Sequence, residues 1–202
     1  MNNIRKSFGF DLDNTLIDYS AAVEEYCRIM NINPCTNIGM LREQLRKDNV
    51  SDYEWQLAQG WLYTEGLQFA QVGLGSVELC NYLTQAGYRL YIVSHKTTHT
   101  PDFCGNIPLH DLANNWIEKS AIANHFKGTE QIHYESTREL KVIKIRELAL
   151  NYFVDDLEEV FNESEFPINT KSFLIYKSSS QNSKIKCVAD FSDIKEILAN
   201  GF

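Results

Sequence analysis

The stretch Phe8-Gly9-Phe10-Asp11-Leu12-Asp13-Asn14-Thr15-Leu16 decides how the rest of the chain is read. Its first half is apolar and β-prone and predicts a short buried strand. Its second half then falls at that strand's C-terminal edge, where open parallel α/β sheets place their ligands. Asp11 and Asp13 stand two apart, and a turn between them lets both carboxylates face one site. One can attack an electrophile while the other handles the proton. Asp and Asn are also the ordinary residues of surface turns. Here, however, the pair follows an apolar run directly and precedes Thr15-Leu16-Ile17, so it punctuates a buried element.

The bulk numbers suit one good-sized domain with a modest insertion: 202 residues, 44% of them apolar and 12% aromatic. No segment approaches the roughly 18 consecutive apolar residues of a membrane span. Met1 to Lys6 run straight into the first strand, so no signal peptide is expected. A formal charge of −8 argues against general binding to nucleic acid or anionic membranes, which need a basic surface. Cys27, Cys35, Cys80, Cys104 and Cys187 form an odd, scattered set without a CxxC pair. They read as reduced thiols, and a cytoplasmic location is expected.

Downstream of the Asp pair, Ser20 is expected to cap a helix over 21–30 and Thr36 another over 37–47. Ser51 and Glu54 have capping-box spacing and open a third helical stretch toward Ala70. Residues 19–73 thus read as helical throughout, more than one strand-to-strand crossover needs, and predict an inserted helical cap. The core is then 1–18 and 74–202. Arg42, Arg46, Trp55, Trp61 and Tyr63 fall in this insertion, where aromatics at helical spacing usually pack as core.

Beyond a helix over 76–86 that ends at Gly87, Tyr88-Arg89-Leu90-Tyr91-Ile92-Val93-Ser94 predicts a strong strand. The Ser94 hydroxyl at its edge can donate to a phosphate oxygen beside exposed backbone N–H groups. From Thr97 to Leu109, Pro101, Gly105 and Pro108 break any periodicity, so a long loop leaves the same edge. His95, Lys96 and His99 are its basic groups nearest to Ser94, placed to read the rest of a substrate. His95, His99, Cys104 and His110 do not have a recognised zinc spacing. A helix over 111–124, a strand over 131–134 and a capping box from Ser136 to Glu139 come next. The helix from Ser136 to about Leu150 carries Lys141 and Lys144 on one face. Crossover helices run antiparallel to their strands, so the first turns of this one lie at the Asp edge. Lys141 is nearer that edge, and Lys144 is about one turn farther away.

Asn151-Tyr152-Phe153-Val154-Asp155-Asp156 is again apolar and again ends in acid. Adjacent carboxylates at a strand end repel one another. A hard divalent cation such as Mg²⁺, which takes oxygen ligands and substrate phosphate, accounts for them. A strand at 171–176 and a helix from Ser192 to Leu198 complete a mainly parallel sheet of about five strands. The fold class expected is α/β: a Rossmann-like, doubly wound sheet with an inserted helical cap.

Asp11-Leu12-Asp13-Asn14-Thr15 matches the D-x-D-x-T signature of the haloacid-dehalogenase-like (HAD) hydrolase superfamily. The ordered set Asp11/Asp13, Ser94, Lys141, Asp155/Asp156 resembles the four motifs of that family from residue 8 to 156. The resemblance implies a phosphatase with a cap between its first two motifs. Asp11 would form an aspartyl-phosphate, and Asp13 would act as acid and then base. Ser94 and Lys141 would hold the phosphoryl oxygens. Thr15, counted with them, would support the loop that carries Asp13. Mg²⁺ would sit on Asp11, the Asp13 backbone carbonyl, and Asp155 or Asp156. The acidic pair stands in place of the longer G-D-x-x-x-D variant. Position 160 is Val, and Glu158 or Glu159 could substitute only in a different geometry. Dehalogenase members do not need a second Asp as acid, so Asp13 favours phosphorus chemistry. Nucleotide hydrolysis, phosphotransfer and a catalytically silent binding module share the fold. The reading taken forward is hydrolysis of a small phosphorylated metabolite, such as a sugar phosphate.

Overall fold

The computed structural model describes residues 6–47 and 52–201. Among them the first strand is β1 (Ser7–Phe10), and two short strands, β2 (Ile17–Asp18) and β3 (Gln71–Val72), pair only with each other. The main sheet adds β4 (Arg89–His95), β5 (Ile132–Glu135), β6 (Tyr152–Asp155), β7 (Lys171–Ile175) and β8 (Ile185–Val188) to β1. Its order is β5-β4-β1-β6-β7-β8, and every pairing is parallel. The chain steps outward from β1 through β4 to β5, then returns to β6 on the other side and steps outward again. That reversal puts the switch point, where such sheets bind ligands, at the C-terminal ends of β1 and β6.

The sheet has six strands rather than about five. β8 follows the Ser- and Asn-rich segment at 177–184 and packs as an edge, with Ile185 and Val188 buried and Lys186 exposed.

The chain divides into two compact units. The first comprises Met1–Leu16, Val72–Lys96 and Ile117–Phe202. Along β1, side chains alternate between the faces of the sheet. Phe8 and Phe10 point to one face, where Phe8 lies 5.7 Å from Tyr152 and 6.1 Å from Phe173, and Phe10 lies 6.1 Å from Phe191. Helices α4 (Ser76–Gln85) and α8 (Phe191–Ala199) pack together in this unit. Gly9 and Asp11 point to the opposite face, toward α6 (Arg138–Glu147), whose Val142 and Ile145 join Val93, Leu150 and Phe153 in one core; the short α7 (Glu158–Phe161) adds Val160 and Phe161. A Cβ at Gly9 would come within 2.4 Å of Leu150 Cδ1 and 2.7 Å of Phe153 Cδ2. Gly9→Ala is therefore expected to cost roughly 1–3 kcal/mol, the usual penalty for overpacking a filled core, read as a lower Tm.

The second unit comprises Ile17–Gln71 and Thr97–Trp116, so it takes in more than a helical insertion at 19–73. It contains α1 (Ser20–Met30), α2 (Ile38–Arg46), α3 (Tyr53–Leu62) and a 3₁₀ segment, Glu65–Phe69. Helix α5 (Leu109–Lys119) begins in it. Trp55 is buried with Arg42 over its ring, Trp61 packs on Tyr26 and Phe69, and Tyr63 packs on Tyr19. Tyr53 meets Phe103 of the 97–116 segment at 5.0 Å.

Several caps shift by one or two positions. Asn37, not Thr36, caps α2, accepting from the Met40 N–H at 3.0 Å. Ser20 lies inside α1, with its own N–H donated to Asp18. Thr137, not Ser136, caps α6, and Asp190, not Ser192, caps α8. The capping box expected at Ser51 lies outside the described residues. Among the described residues, no helix is long and apolar enough to cross a membrane.

Candidate active site

The site grows from the alternation along β1 and β6. Gly9 pairs with Phe153, so Asp11 and Asp155 emerge on the same face of the sheet, beside each other and toward α6. The Asp11 N–H donates to the Val154 carbonyl at 2.9 Å, which fastens the end of β1 to β6. Thr137 caps α6 by accepting from the Leu140 N–H, and the first turn then presents Lys141 to that face. The Lys141 ammonium lies 2.6 Å from Asp11 Oδ1 and 2.6 Å from Asp155 Oδ2. It is only 2% exposed, and its Nζ also lies 5.5 Å from the centre of the Phe153 ring. Asp155 Oδ1 accepts from the Leu157 N–H at 3.0 Å, so both oxygens of this fully buried carboxylate are used.

Lys144, one turn on, instead pairs with Glu147 at the surface. Of the two lysines on that face of α6, only Lys141 meets the carboxylates.

Asp13 stands on the turn after β1, closed by the Thr15 N–H donating to the Leu12 carbonyl and by Asn14 in the left-handed region. Both its oxygens accept from Lys96, at 2.9 and 2.7 Å. Lys96, expected to read the rest of a substrate from the loop, is instead buried with its ammonium committed to Asp13. Its backbone N–H continues the ladder by donating to the Glu135 carbonyl at 2.9 Å. Ser94 is buried, and its hydroxyl has no hydrogen-bond partner among the described residues. A donor left unmade at a sheet edge costs free energy unless a ligand satisfies it. Thr15 is equally buried and its Oγ1 equally unpartnered, while its carbonyl accepts from Tyr176.

His95 is more exposed. Its Nε2 lies 3.1 Å from the Ser136 carbonyl, and burial pulls its ring below the usual histidine range. His99 belongs to the other unit, where it bridges to Pro108. Tyr134 carries no mark in the sequence beyond its place in a strand. It pairs in register with Ser94, and burial, then the Asp13 charge, hold its hydroxyl protonated.

Electrostatically the site is short of positive charge. Burial pushes the Asp11 carboxyl up to about 7; Lys141 opposes the shift, and Asp155 and Asp13 add to it. Burial, then Asp155 and Asp11, also hold Asp156 well above the usual carboxylate range. For Lys141, burial works against the ammonium, but Asp11 and Asp155 outweigh it and keep the group charged. Asp11, Asp155 and Asp156 each offer an oxygen within 4.8 Å of the others, the one such convergence of potential ligands among the described residues. Four carboxylates (Asp11, Asp13, Asp155, Asp156) gather with two ammonium groups (Lys96, Lys141), an excess of two negative charges. An all-oxygen set with that excess fits a hard divalent cation such as Mg²⁺. Glu158, by contrast, accepts from the Ser180 hydroxyl at 2.6 Å, away from this convergence.

No family model matches the chain, and no curated protein matches its sequence. Solved structures do match. A haloacid dehalogenase-like hydrolase from Streptococcus pneumoniae aligns with a TM-score of 0.63 at 16% identity, over 96% of this chain and 98% of its own. A predicted phosphatase from Clostridium acetobutylicum aligns at 0.62 and 17%, over 98% and 100%. A protein from Mycobacterium tuberculosis described as protein tyrosine kinase A aligns at 0.63 and 17%, over 97% and 99%. At these identities the likeness establishes a shared fold.

Proposed function

We propose that this chain is a Mg²⁺-dependent phosphomonoester hydrolase of the HAD type, acting on a small phosphorylated metabolite through an aspartyl-phosphate. The observation that carries this reading is the Lys141 ammonium held at 2.6 Å from both Asp11 and Asp155 at the switch point of the sheet. A buried cation between two strand-end carboxylates does little for packing that apolar residues would not do better. It suits a site where a phosphoryl group's negative charge has to be met by fixed donors.

In the first step an Asp11 oxygen attacks phosphorus, the bond to the leaving oxygen breaks, and Asp13 supplies a proton to that oxygen. In the second step water attacks the aspartyl-phosphate, Asp13 takes its proton, and Asp11 is released with inorganic phosphate. Ser94 Oγ and the Lys141 ammonium donate to the phosphoryl oxygens in both steps. The residues suited to hold Mg²⁺ are Asp11, Asp155 and Asp156 with the Asp13 carbonyl, where the ion would offset repulsion between carboxylate and phosphate. The helical insertion at 19–73 is taken as a cap, which favours a small substrate, and a sugar phosphate is the preferred class.

The test is release of phosphate from an aryl phosphate. Activity is expected with Mg²⁺, loss in EDTA, and recovery when Mg²⁺ is restored; a wild-type protein inert toward aryl phosphates and a metabolite panel would overturn the reading. Metal binding has a second readout. Saturating Mg²⁺ at about 100 times its Kd stabilises the native state by about 2.7 kcal/mol. That corresponds to a Tm rise of roughly 2–4 °C per kcal/mol in a chain of this size. Asp156→Asn removes one ligand without unpairing Lys141, and should shrink the rise.

A further inference from the structure

The two lysines of the site do different things. Lys141 is shared between the nucleophile and a carboxylate on β6, whereas Lys96 places its ammonium against both oxygens of Asp13. Both ends of the second pair are nearly enclosed, with 4% of the Lys96 side chain and 11% of the Asp13 side chain exposed. An ion pair with both oxygens engaged fixes the rotation of the carboxylate as well as its position. The Lys96 backbone is fastened to β5 through Glu135, so the clamp is anchored on the sheet and not on a loop.

We infer that Lys96 is a positioning residue for Asp13 in the second half of the reaction, the hydrolysis of the aspartyl-phosphate. This rests on the two-step reading above. In that half the water oxygen bonds to phosphorus, the bond from phosphorus to Asp11 breaks, Asp11 leaves as a carboxylate, and one water proton passes to Asp13. Asp13 must there turn an oxygen toward the water, and an ammonium against both of its oxygens fixes that orientation. Formation of the aspartyl-phosphate draws on Asp11 and the phosphate donors, and on Asp13 only as far as the leaving group needs a proton. With a good leaving group, such as 4-nitrophenolate, that need is small, so the two halves can be separated by experiment.

The experiment is rapid-mixing kinetics on the full chain with 4-nitrophenyl phosphate, comparing wild type, Lys96→Met and Lys96→Arg. For Lys96→Met a burst of nitrophenol close to one per enzyme is expected, followed by a steady state slowed on the order of 10²-fold, the usual contribution of a placed acid–base group. Acid quenching should trap covalent phosphate on the variant in step with the burst. Lys96→Arg retains a charge able to engage both oxygens and should recover most of the steady-state rate. If Lys96 instead binds the phosphoryl group or reads the leaving group, the burst itself slows and no phosphoenzyme accumulates, which overturns the inference. A loss explained by a fallen Tm, without accumulation, overturns it as well. Should Lys96→Met be too unstable to assay, Lys96→Gln, which keeps one hydrogen bond to Asp13, is read by the same two signals. A wild type with no turnover at all counts against the hydrolase reading, whereas an active wild type with no burst in the variants counts against Lys96 alone.

Discussion

Asp11→Asn is expected to lower turnover of an aryl phosphate on the order of 10⁴-fold or more, the scale seen when a covalent nucleophile is removed. An amide cannot form the acyl-phosphate, so no covalent phosphate should be trapped by acid quenching either. The fold should survive, because Asn keeps an oxygen to accept from Lys141, and Asp155 still pairs with that ammonium. The sign of the stability change follows from the charge. Burial, the largest cause, raises the Asp11 carboxyl from an unfolded value of 3.8 to about 7, so between those values the native state binds a proton that the unfolded state has released. Stability from this group therefore falls as pH rises through that window, and the cost is complete above it. Replacing the carboxylate removes that cost. In EDTA at pH 8 the variant should melt no lower than wild type, and the difference should close toward pH 4. Activity retained by Asp11→Asn would sink the assignment; a large loss of Tm at pH 8 would show that the carboxylate is held by more than Lys141.

The parts of this arrangement legible in the sequence are those set by short-range pattern. The apolar run at Phe8–Phe10 ends in charge, and period-two alternation then places Asp11 on the face opposite the Phe pair. The placement of Lys141 follows from helix direction alone, and survives a one-residue error in the cap because Ser136 and Thr137 both offer a hydroxyl. Thr137 is the one in extended backbone with its side chain on the Leu140 N–H. The same ambiguity explains Thr36 against Asn37: where polar residues adjoin, local preference does not choose between them. β8 carries a weak sequence signal because it is four residues long and follows a polar segment, although Ile185-Lys186-Cys187-Val188 does alternate as an edge strand should. The Lys96–Asp13 pair spans 83 residues of sequence and depends on how β4 leaves the sheet beside β5. No local pattern encodes that, and Lys96 reads as one more basic residue in a loop. The second unit's claim on residues 97–116 is hidden for the same reason, since contacts such as Tyr53–Phe103 are long-range.

Lys141→Ala and Lys144→Ala, three residues apart on one helix, are expected to differ sharply in stability as well as in rate. Removing Lys141 leaves Asp11 and Asp155 buried side by side with their shared cation gone, the situation in which breaking a buried pair costs about 3–5 kcal/mol. At roughly 2–4 °C per kcal/mol for this size of chain, the Tm measured in EDTA should fall by something a melting curve resolves easily. Lys144 pairs with Glu147 across one turn at the surface, where solvent screening leaves such a pair little to contribute. Its loss should leave both Tm and turnover near wild type. Lys141→Arg is not a rescue, since one ammonium placed 2.6 Å from two separate carboxylates is a point-charge geometry that a planar guanidinium does not reproduce. Lys141→Met separates the two roles of the ammonium. It restores most of the side-chain volume, so a variant that keeps its packing yet loses phosphate turnover assigns the ammonium to chemistry. Equal effects of Lys141→Ala and Lys144→Ala on melting and rate would remove Lys141 from the centre of the site, and with it the observation on which the phosphatase reading rests.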